Sequence, residues 1–249
     1  MKYKLMCLTF LFVMLLISIK PNANNSGIET ESYPEEKKSN LINRLNICVL
    51  EEEPDRRPID CFAMNKNGVI ALGCSRGSSK KSICFYTQEG IFIYGVLFVC
   101  QGSFCIELNG DLLIIYFVRD NVAVSVNPNG EVVDIVAIKK TVENNKYKNR
   151  LLGQSKFKEG NTEVILKNDM GFFNLFAWNY SQLIIKSNEG EQILYDVNSS
   201  QFKKIVIMFI FILLFIALSI VYLILLFTNM NHKKSRVSKS EQSPRKLSQ

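Results

Sequence analysis

The sequence of residues 103–138 is SFCIELNGDLLIIYFVRDNVAVSVNPNGEVVDIVAI, and its pattern decides the fold class. Four apolar runs are separated by three short polar breaks. Apolar residues alternate with others in the first and third runs, which is typical of half-buried β-strands. The second run, residues 112–118, is continuously apolar and indicates a strand covered on both faces. The breaks leave no room for helices of normal length, so the stretch predicts a four-stranded antiparallel unit.

Two of the breaks have the residues that tight turns require. Asn109-Gly110 is the strongest two-residue hairpin signal, because both central residues of a type I′ turn need positive φ. Residues 127–130, Asn-Pro-Asn-Gly, place Pro where φ is preset and Gly where a left-handed residue is needed. These turns support strands over helices.

The same pattern occurs before and after this stretch. It predicts unit 1 at residues 59–99, unit 2 at 103–138 and unit 3 at 163–197, with residues 172–178 as a strand of unit 3. Two glycine series support the repeat: Gly68, Gly110 and Gly171 in the first turns, and Gly90, Gly130 and Gly190 in later turns. Both series show one spacing near 40 residues and one near 60. The difference predicts an insertion, residues 139–160, as a polar and mostly basic loop.

Four-stranded units repeating at about 40–45 residues are typical of propeller blades. Residues 59–197 therefore resemble β-propeller repeat proteins of the YncE, NHL and WD40 kind, although the Gly-His and Trp-Asp pairs of WD40 blades are missing. The resemblance implies an all-β ectodomain of three four-stranded antiparallel propeller-blade-like units, with unit 2 in the centre and covered on both faces. The alternative is a plain β-meander folded as a sandwich or open barrel.

Three units are fewer than the four or more blades with which propellers close. The resemblance thus implies an incomplete propeller, or one completed by a second chain. Exposed strand edges invite pairing, so we expect a protein partner or self-association through open β edges.

Two segments are directed to a membrane. Residues 1–23 begin with Lys2 and Lys4, continue with an apolar run, and predict a signal peptide cleaved near Ala23, or an uncleaved anchor. Residues 24–58 predict a polar linker with one short strand at 46–50. Residues 205–227 are 23 uncharged residues that predict one C-terminal transmembrane helix, in a segment that starts at 203, with the lipid bilayer as a partner.

The distribution of charge predicts the orientation of the span. Residues 228–249 form a basic tail with six Lys and Arg, against two just before the span, so the tail should be cytoplasmic and disordered, and residues 59–202 extracytoplasmic. The tail could also bind anionic lipid or carry a phosphosite at Ser243. Residues 21–202 hold 19 basic and 22 acidic residues, so the net charge of +7 does not indicate nucleic-acid binding.

The predicted ectodomain contains an even number of cysteines, which permits up to three disulfides. The alternative is that they are small buried apolar residues. No Cys-x-x-Cys spacing occurs among them, so zinc and thioredoxin-like chemistry are not expected. They are Cys48, Cys61, Cys74, Cys84, Cys100 and Cys105.

The sequence contains no recognisable catalytic motif. The single histidine, His232, lies in the predicted tail, so a Ser-His or Cys-His nucleophile is not available to the ectodomain. Isolated carboxylates near turns are expected to be solvated surface residues; they are Asp55, Asp60, Glu107, Asp111, Asp120 and Asp134. Glycosylation sequons occur at Asn24, Asn179 and Asn198. We expect no catalytic residue, no cofactor and no metal.

These observations predict a single-pass membrane protein whose extracytoplasmic β domain is a binding or interaction module and not an enzyme. A membrane-tethered sensor or accessory subunit of an envelope complex is the alternative function. An enzyme of unusual type is a third.

Overall fold

Short, largely apolar runs build three antiparallel sheets in the residues that the computed structural model describes, 27–160, 162–187 and 190–241. The predicted signal peptide, residues 1–23, lies outside the described residues. The prediction that the domain consists mainly of antiparallel β-sheets is confirmed. None of the three sheets closes on itself.

Sheet I is formed mainly by unit 1 and has the strand order β2-β6-β5-β4-β3. Its strands are β2 (Cys48–Leu50), β3 (Ile59–Met64), β4 (Ile70–Ser75), β5 (Lys80–Tyr86) and β6 (Phe92–Val99). Sheet II is formed mainly by unit 2 and has the order β1-β10-β9-β8-β7. Its strands are β1 (Thr30–Ser32), β7 (Phe104–Asn109), β8 (Leu112–Phe117), β9 (Val122–Val126) and β10 (Val132–Ile138).

Sheet III contains the third unit and has the order β11-β12-β13-β14. Its strands are β11 (Lys156–Glu159), β12 (Thr162–Lys167), β13 (Gln182–Ser187) and β14 (Gly190–Asp196). The helices are α1 (Glu35–Leu45), α2 (Val142–Leu152), a 3-10 helix (Gly171–Phe176) and α3 (Asn198–Glu241).

The turn chemistry of unit 2 is as the sequence predicts. Gly110 has φ 61° and Gly130 has φ 80°, the left-handed conformation that residues with a Cβ rarely adopt. The side chain of Asn127 accepts backbone N–H groups from Asn129 (3.0 Å) and Glu131 (2.9 Å), which closes the second turn.

The three sheets stack face to face, with sheet I in the middle. Alternate residues of β3 point to opposite faces: Cys61 and Ala63 pack with sheet II, whereas Phe62 and Met64 pack with sheet III. The outer face of sheet II is covered by α2, through residues such as Leu151. The prediction that unit 2 is the central unit is therefore wrong. Strand β8 of unit 2 is buried on both faces because sheet I covers one face and α2 covers the other.

The predicted linker, residues 24–58, contains ordered elements. β1 extends sheet II, β2 extends sheet I in the region of the predicted short strand, and α1 buries Leu41 and Leu45 in the core between these sheets. Glutamates in the first turn of α1, Arg44 in its last turn, and Asn46 at φ 44° as its C-cap stabilise the helix. The linker prediction is wrong because a four-residue spacing of two leucines is enough to dock a short, highly charged helix.

The prediction that residues 139–160 form a basic loop is also wrong, since this segment contains α2 and the edge strand β11. Thr141 caps α2 by accepting the N–H of Asn144 at 3.1 Å. The Asn144 side chain also donates to the carbonyl oxygens of Glu29 and Lys139, both at 2.8 Å, so α2 is fixed to the strand before it and to the start of β1.

α3 is 44 residues long and continues to Glu241, whereas the sequence predicts a disordered tail from residue 228. Its segment Asn198–Leu225 is long and apolar enough to cross a membrane, and it lies almost entirely outside the protein core. No other described helix meets that criterion. Exposed Ile, Leu and Phe side chains in such number need an apolar solvent, so the single C-terminal span fits a single-pass membrane protein.

Candidate membrane-proximal and distal sites

The segment that precedes β13 forms an aromatic projection beside the start of α3. Residues 171–178, GFFNLFAW, are here named the aromatic turn. The sequence predicts a strand at 172–178, but the structure has a 3-10 helix at Gly171–Phe176. The strand prediction is wrong because this segment has no partner strand in sheet III, where β12 pairs directly with β13.

Two rings of the aromatic turn contact α3 instead of the sheet cores. The Phe173 ring lies 5.3 Å from the ring of Phe202 and 5.9 Å from that of Phe209, both edge-on. The Phe176 ring lies 5.8 Å from that of Phe209. The turn is therefore packed against the first turns of the apolar span.

Asparagine side chains hold the aromatic turn in this position. Asn174 accepts the N–H of Met170 at 2.9 Å across the first turn of the 3-10 helix, and Asn168 accepts the N–H of Ser181 at 2.7 Å. Asn198, in the first turn of α3, donates to the carbonyl oxygen of Asp169 at 2.7 Å. The turn, sheet III and α3 thus share one hydrogen-bond network.

A second network joins the aromatic turn to sheet I. Ile59 and Tyr180 exchange backbone hydrogen bonds of 2.8 and 3.0 Å, which links β3 to the residues after the turn. The Asp60 carboxylate accepts hydrogen bonds from the Asn179 amide and from the Ser75 hydroxyl. Burial raises the pKa of Asp60, and the hydrogen bonds from Ser75 and Asn179 partly oppose that rise.

Three large apolar side chains of the aromatic turn point away from these contacts. Trp178 is 96% exposed, Leu175 is 79% exposed and Phe172 is 66% exposed. A cleft of about 290 Å³ lies between Trp178 and α3 and is bordered by Lys204 and Gln201. The Gln201 amide nitrogen donates to the carbonyl oxygen of Asn179 at 3.0 Å, while its buried amide oxygen has no hydrogen-bond partner. Projecting apolar side chains beside a membrane span are unusual for a surface in water.

A second cleft lies at the other end of β3, about 20 Å away by the length of a six-residue strand. This distal cleft has a volume of about 480 Å³. It is bordered by Met64, Asn65, Lys66, Asn67, Leu108, Asn109, Gly110 and Phe157. Asn65 donates to the carbonyl oxygen of Gly110 at 3.2 Å and accepts the N–H groups of Asn67 and Val69. These hydrogen bonds join the two turns that border the distal cleft.

The carboxylates noted in the sequence do not meet in one site. Glu107 accepts hydrogen bonds from the hydroxyls of Tyr116 and Tyr147, and Asp120 forms an ion pair with Arg44 at 2.6 Å. The Asp134 carboxylate accepts the backbone N–H of Ile135 at 2.8 Å. Among the described residues no group of three His, Cys, Asp or Glu side chains could hold a metal ion.

The six cysteines of the described chain are free thiols, so none of the permitted disulfides is formed. Cys48 is exposed and the other five are buried. Burial raises the pKa of Cys84 to about 11 and that of Cys105 to about 12, because a thiolate is poorly solvated in an apolar core. These thiols behave as small apolar residues, as the alternative interpretation of the sequence states.

Both described sequons are engaged in structural contacts. The Asn179 amide nitrogen donates to Asp60, and that of Asn198 donates to Asp169. The third sequon, Asn24, lies outside the described residues.

Sequence reasoning missed the aromatic turn and the distal cleft. Four aromatic residues within seven positions, interrupted by Asn174, were the available signal for the turn. The distal cleft had no signal of its own, because it is formed by residues from three sheets.

Neither a scan against protein-family models nor a search of curated proteins found a match to this chain.

Proposed function

We propose that the chain is a single-pass membrane protein whose β domain lies on the extracytoplasmic side and acts as a binding module, without catalytic activity. The observation that carries this proposal is the juxtaposition of an exposed apolar helix with three stacked sheets that have cores of their own. Such a molecule presents a rigid surface at a membrane. The excess of basic residues after the span supports the orientation.

The distal cleft is the binding surface that we propose. Its volume falls within the range of small-ligand or side-chain pockets. Its rim combines the amide groups of Asn67 and Asn109 and the ammonium group of Lys66 with the apolar side chains of Leu108 and Phe157. Amides donate and accept hydrogen bonds and an ammonium group donates them, so the cleft suits a polar ligand with hydrogen-bond acceptors or a peptide segment.

Three edge strands, one from each sheet, lie next to the distal cleft, and this arrangement supports a blade-like interpretation of the sheets. The edge strands β3 and β7 contact each other, and residues of β3, β7 and β11 border the same cleft. Propeller blades likewise meet around a central channel. The stacking order II–I–III and the open sheets make the proposed propeller an incomplete one.

Site-specific photo-crosslinking tests the proposed binding surface. A photo-reactive residue at Lys66, on the rim of the distal cleft, is compared in the native membrane with one at Val142, which is 63% exposed on α2. We expect a discrete adduct from position 66 that position 142 does not give. Identical adducts from both positions, or none from position 66, would contradict the proposal.

A sensor or accessory-subunit role is the alternative, and the junction between β14 and α3 favours it. Val197 is buried in the core between sheets I and III, and α3 begins at the next residue. Because no flexible linker separates the sheet from the span, movement of the domain would be transmitted to the helix. Insertion of a short Gly-Ser linker after Val197 should abolish signalling but leave simple binding intact.

A further inference from the structure

The aromatic turn has the position, composition and exposure of a membrane-inserting element. We propose that it inserts into the lipid leaflet that faces the β domain, and that it provides a second attachment beside α3. This inference rests on the proposed function only in that α3 spans a bilayer. The occupant is lipid, because the turn is continuous with the surface of the span.

The level of the turn along α3 gives its depth. Phe173 contacts Phe202, just before the charged pair Lys203 and Lys204, and it also contacts Phe209, within the apolar segment. Seven residues of helix separate these two contacts, about 10 Å along the axis. The lysine ammonium groups remain at the headgroups, so the turn occupies the interface and the first part of the acyl region.

The exposed side chains are those that favour this depth. Trp and Tyr are enriched at membrane interfaces because an apolar ring and a polar N–H or O–H suit the headgroup boundary. Trp178 is almost fully exposed, and Leu175 and Phe172 project beside it. No residue of the 3-10 helix is buried, so the turn contributes little to the cores of the β domain.

The two hydrogen-bond networks make this attachment directional. Asn198 and Asn168 fix the turn to α3 and sheet III, while Asp60 and Ile59 fix the following residues to sheet I. A turn held on both sides cannot rotate without the sheets. Insertion therefore restrains the tilt of the domain about α3 and holds the distal cleft away from the lipid.

Trp178 is the only tryptophan in the chain, so tryptophan fluorescence reports the depth of the aromatic turn in the bilayer without an added label. The full chain is reconstituted in phosphatidylcholine vesicles that contain lipids brominated either near the headgroup or near the chain end. Emission of Trp178 is also measured with acrylamide in the aqueous phase. A Trp178→Phe, Lys66→Trp chain is the matched control, because it places the single tryptophan at the distal cleft.

We expect blue-shifted Trp178 emission that shallow bromines quench strongly, deep bromines quench less and acrylamide hardly quenches. The control tryptophan should show the opposite behaviour. Quenching of Trp178 by acrylamide but not by bromolipid would place the turn in water and overturn the inference. Protection from both quenchers would mean that protein covers the turn, and would overturn it equally.

A separate readout distinguishes failure of this inference from failure of the proposed function. Extraction of the vesicles at alkaline pH reports whether α3 spans the bilayer, independently of Trp178. A chain that resists extraction while its Trp178 is quenched by acrylamide retains the span and loses only the inserted turn. A chain that is released contradicts the single-span anchor itself.

Discussion

Replacement of Phe98 by Ala should strongly destabilise the β domain, because Phe98 joins sheets I and II. Its side chain is fully buried, and its ring packs edge-on against Phe104 at 5.3 Å and Phe117 at 5.8 Å. Buried Phe→Ala replacements cost about 3–5 kcal/mol in the free energy of unfolding. Domains of this size lose roughly 2–4 °C in Tm per kcal/mol, so we expect a fall of about 6–20 °C.

Thermal unfolding of the full chain in lipid nanodiscs, followed by circular dichroism, measures this shift. Ile91→Ala is the control, since it truncates a large apolar side chain that is 64% exposed just before β6. It should change Tm by only about 1–2 °C, as surface substitutions usually do. Equal shifts for the two variants would refute the face-to-face packing of sheets I and II.

Three further predictions follow from exposed edges and buried groups. In the folded chain, Cys48 should react with a thiol reagent within minutes, while the five buried cysteines react only after denaturation; six equally reactive thiols would contradict the packing. Self-association should use β14, whose Ile193 is 53% exposed, and not β11, which carries lysines at its edge. Ile193→Lys should therefore reduce the mass of the particle in detergent, and an unchanged oligomer would exclude this edge. Asn198→Ala should lower Tm by about 2–4 °C, because it removes the roughly 1 kcal/mol hydrogen bond from the Asn198 amide nitrogen to the carbonyl oxygen of Asp169; an unchanged Tm would contradict that contact.

The strands and hairpin turns of units 1 and 2 were predictable because their determinants are local. The alternation along residues 104–108 and the Asn109-Gly110 turn depend on neighbouring residues alone, and the strand and the turn both occur in the structure. The span was predictable for the same reason, since its length and lack of charge are properties of one segment.

The remaining features depend on partners that are distant in the sequence. α1 is stable because Leu41 and Leu45 enter a core formed by two sheets, and its own sequence is mostly polar. The order of the sheets depends on which face of sheet I receives unit 3, and no local pattern specifies that choice. The aromatic turn resembled a strand because a run of large apolar residues does not reveal whether a neighbouring strand is available.

Labelling with a membrane-impermeant maleimide tests the central claim most directly. Cys48 is the exposed thiol of the described β domain, and a Ser240→Cys chain with Cys48 and Cys7 replaced by Ser carries a thiol in the tail instead. In intact cells, we expect the maleimide to label Cys48 but to reach residue 240 only after the membrane is permeabilised. Labelling of residue 240 in intact cells, with Cys48 protected until permeabilisation, would contradict an extracytoplasmic β domain held by a single span.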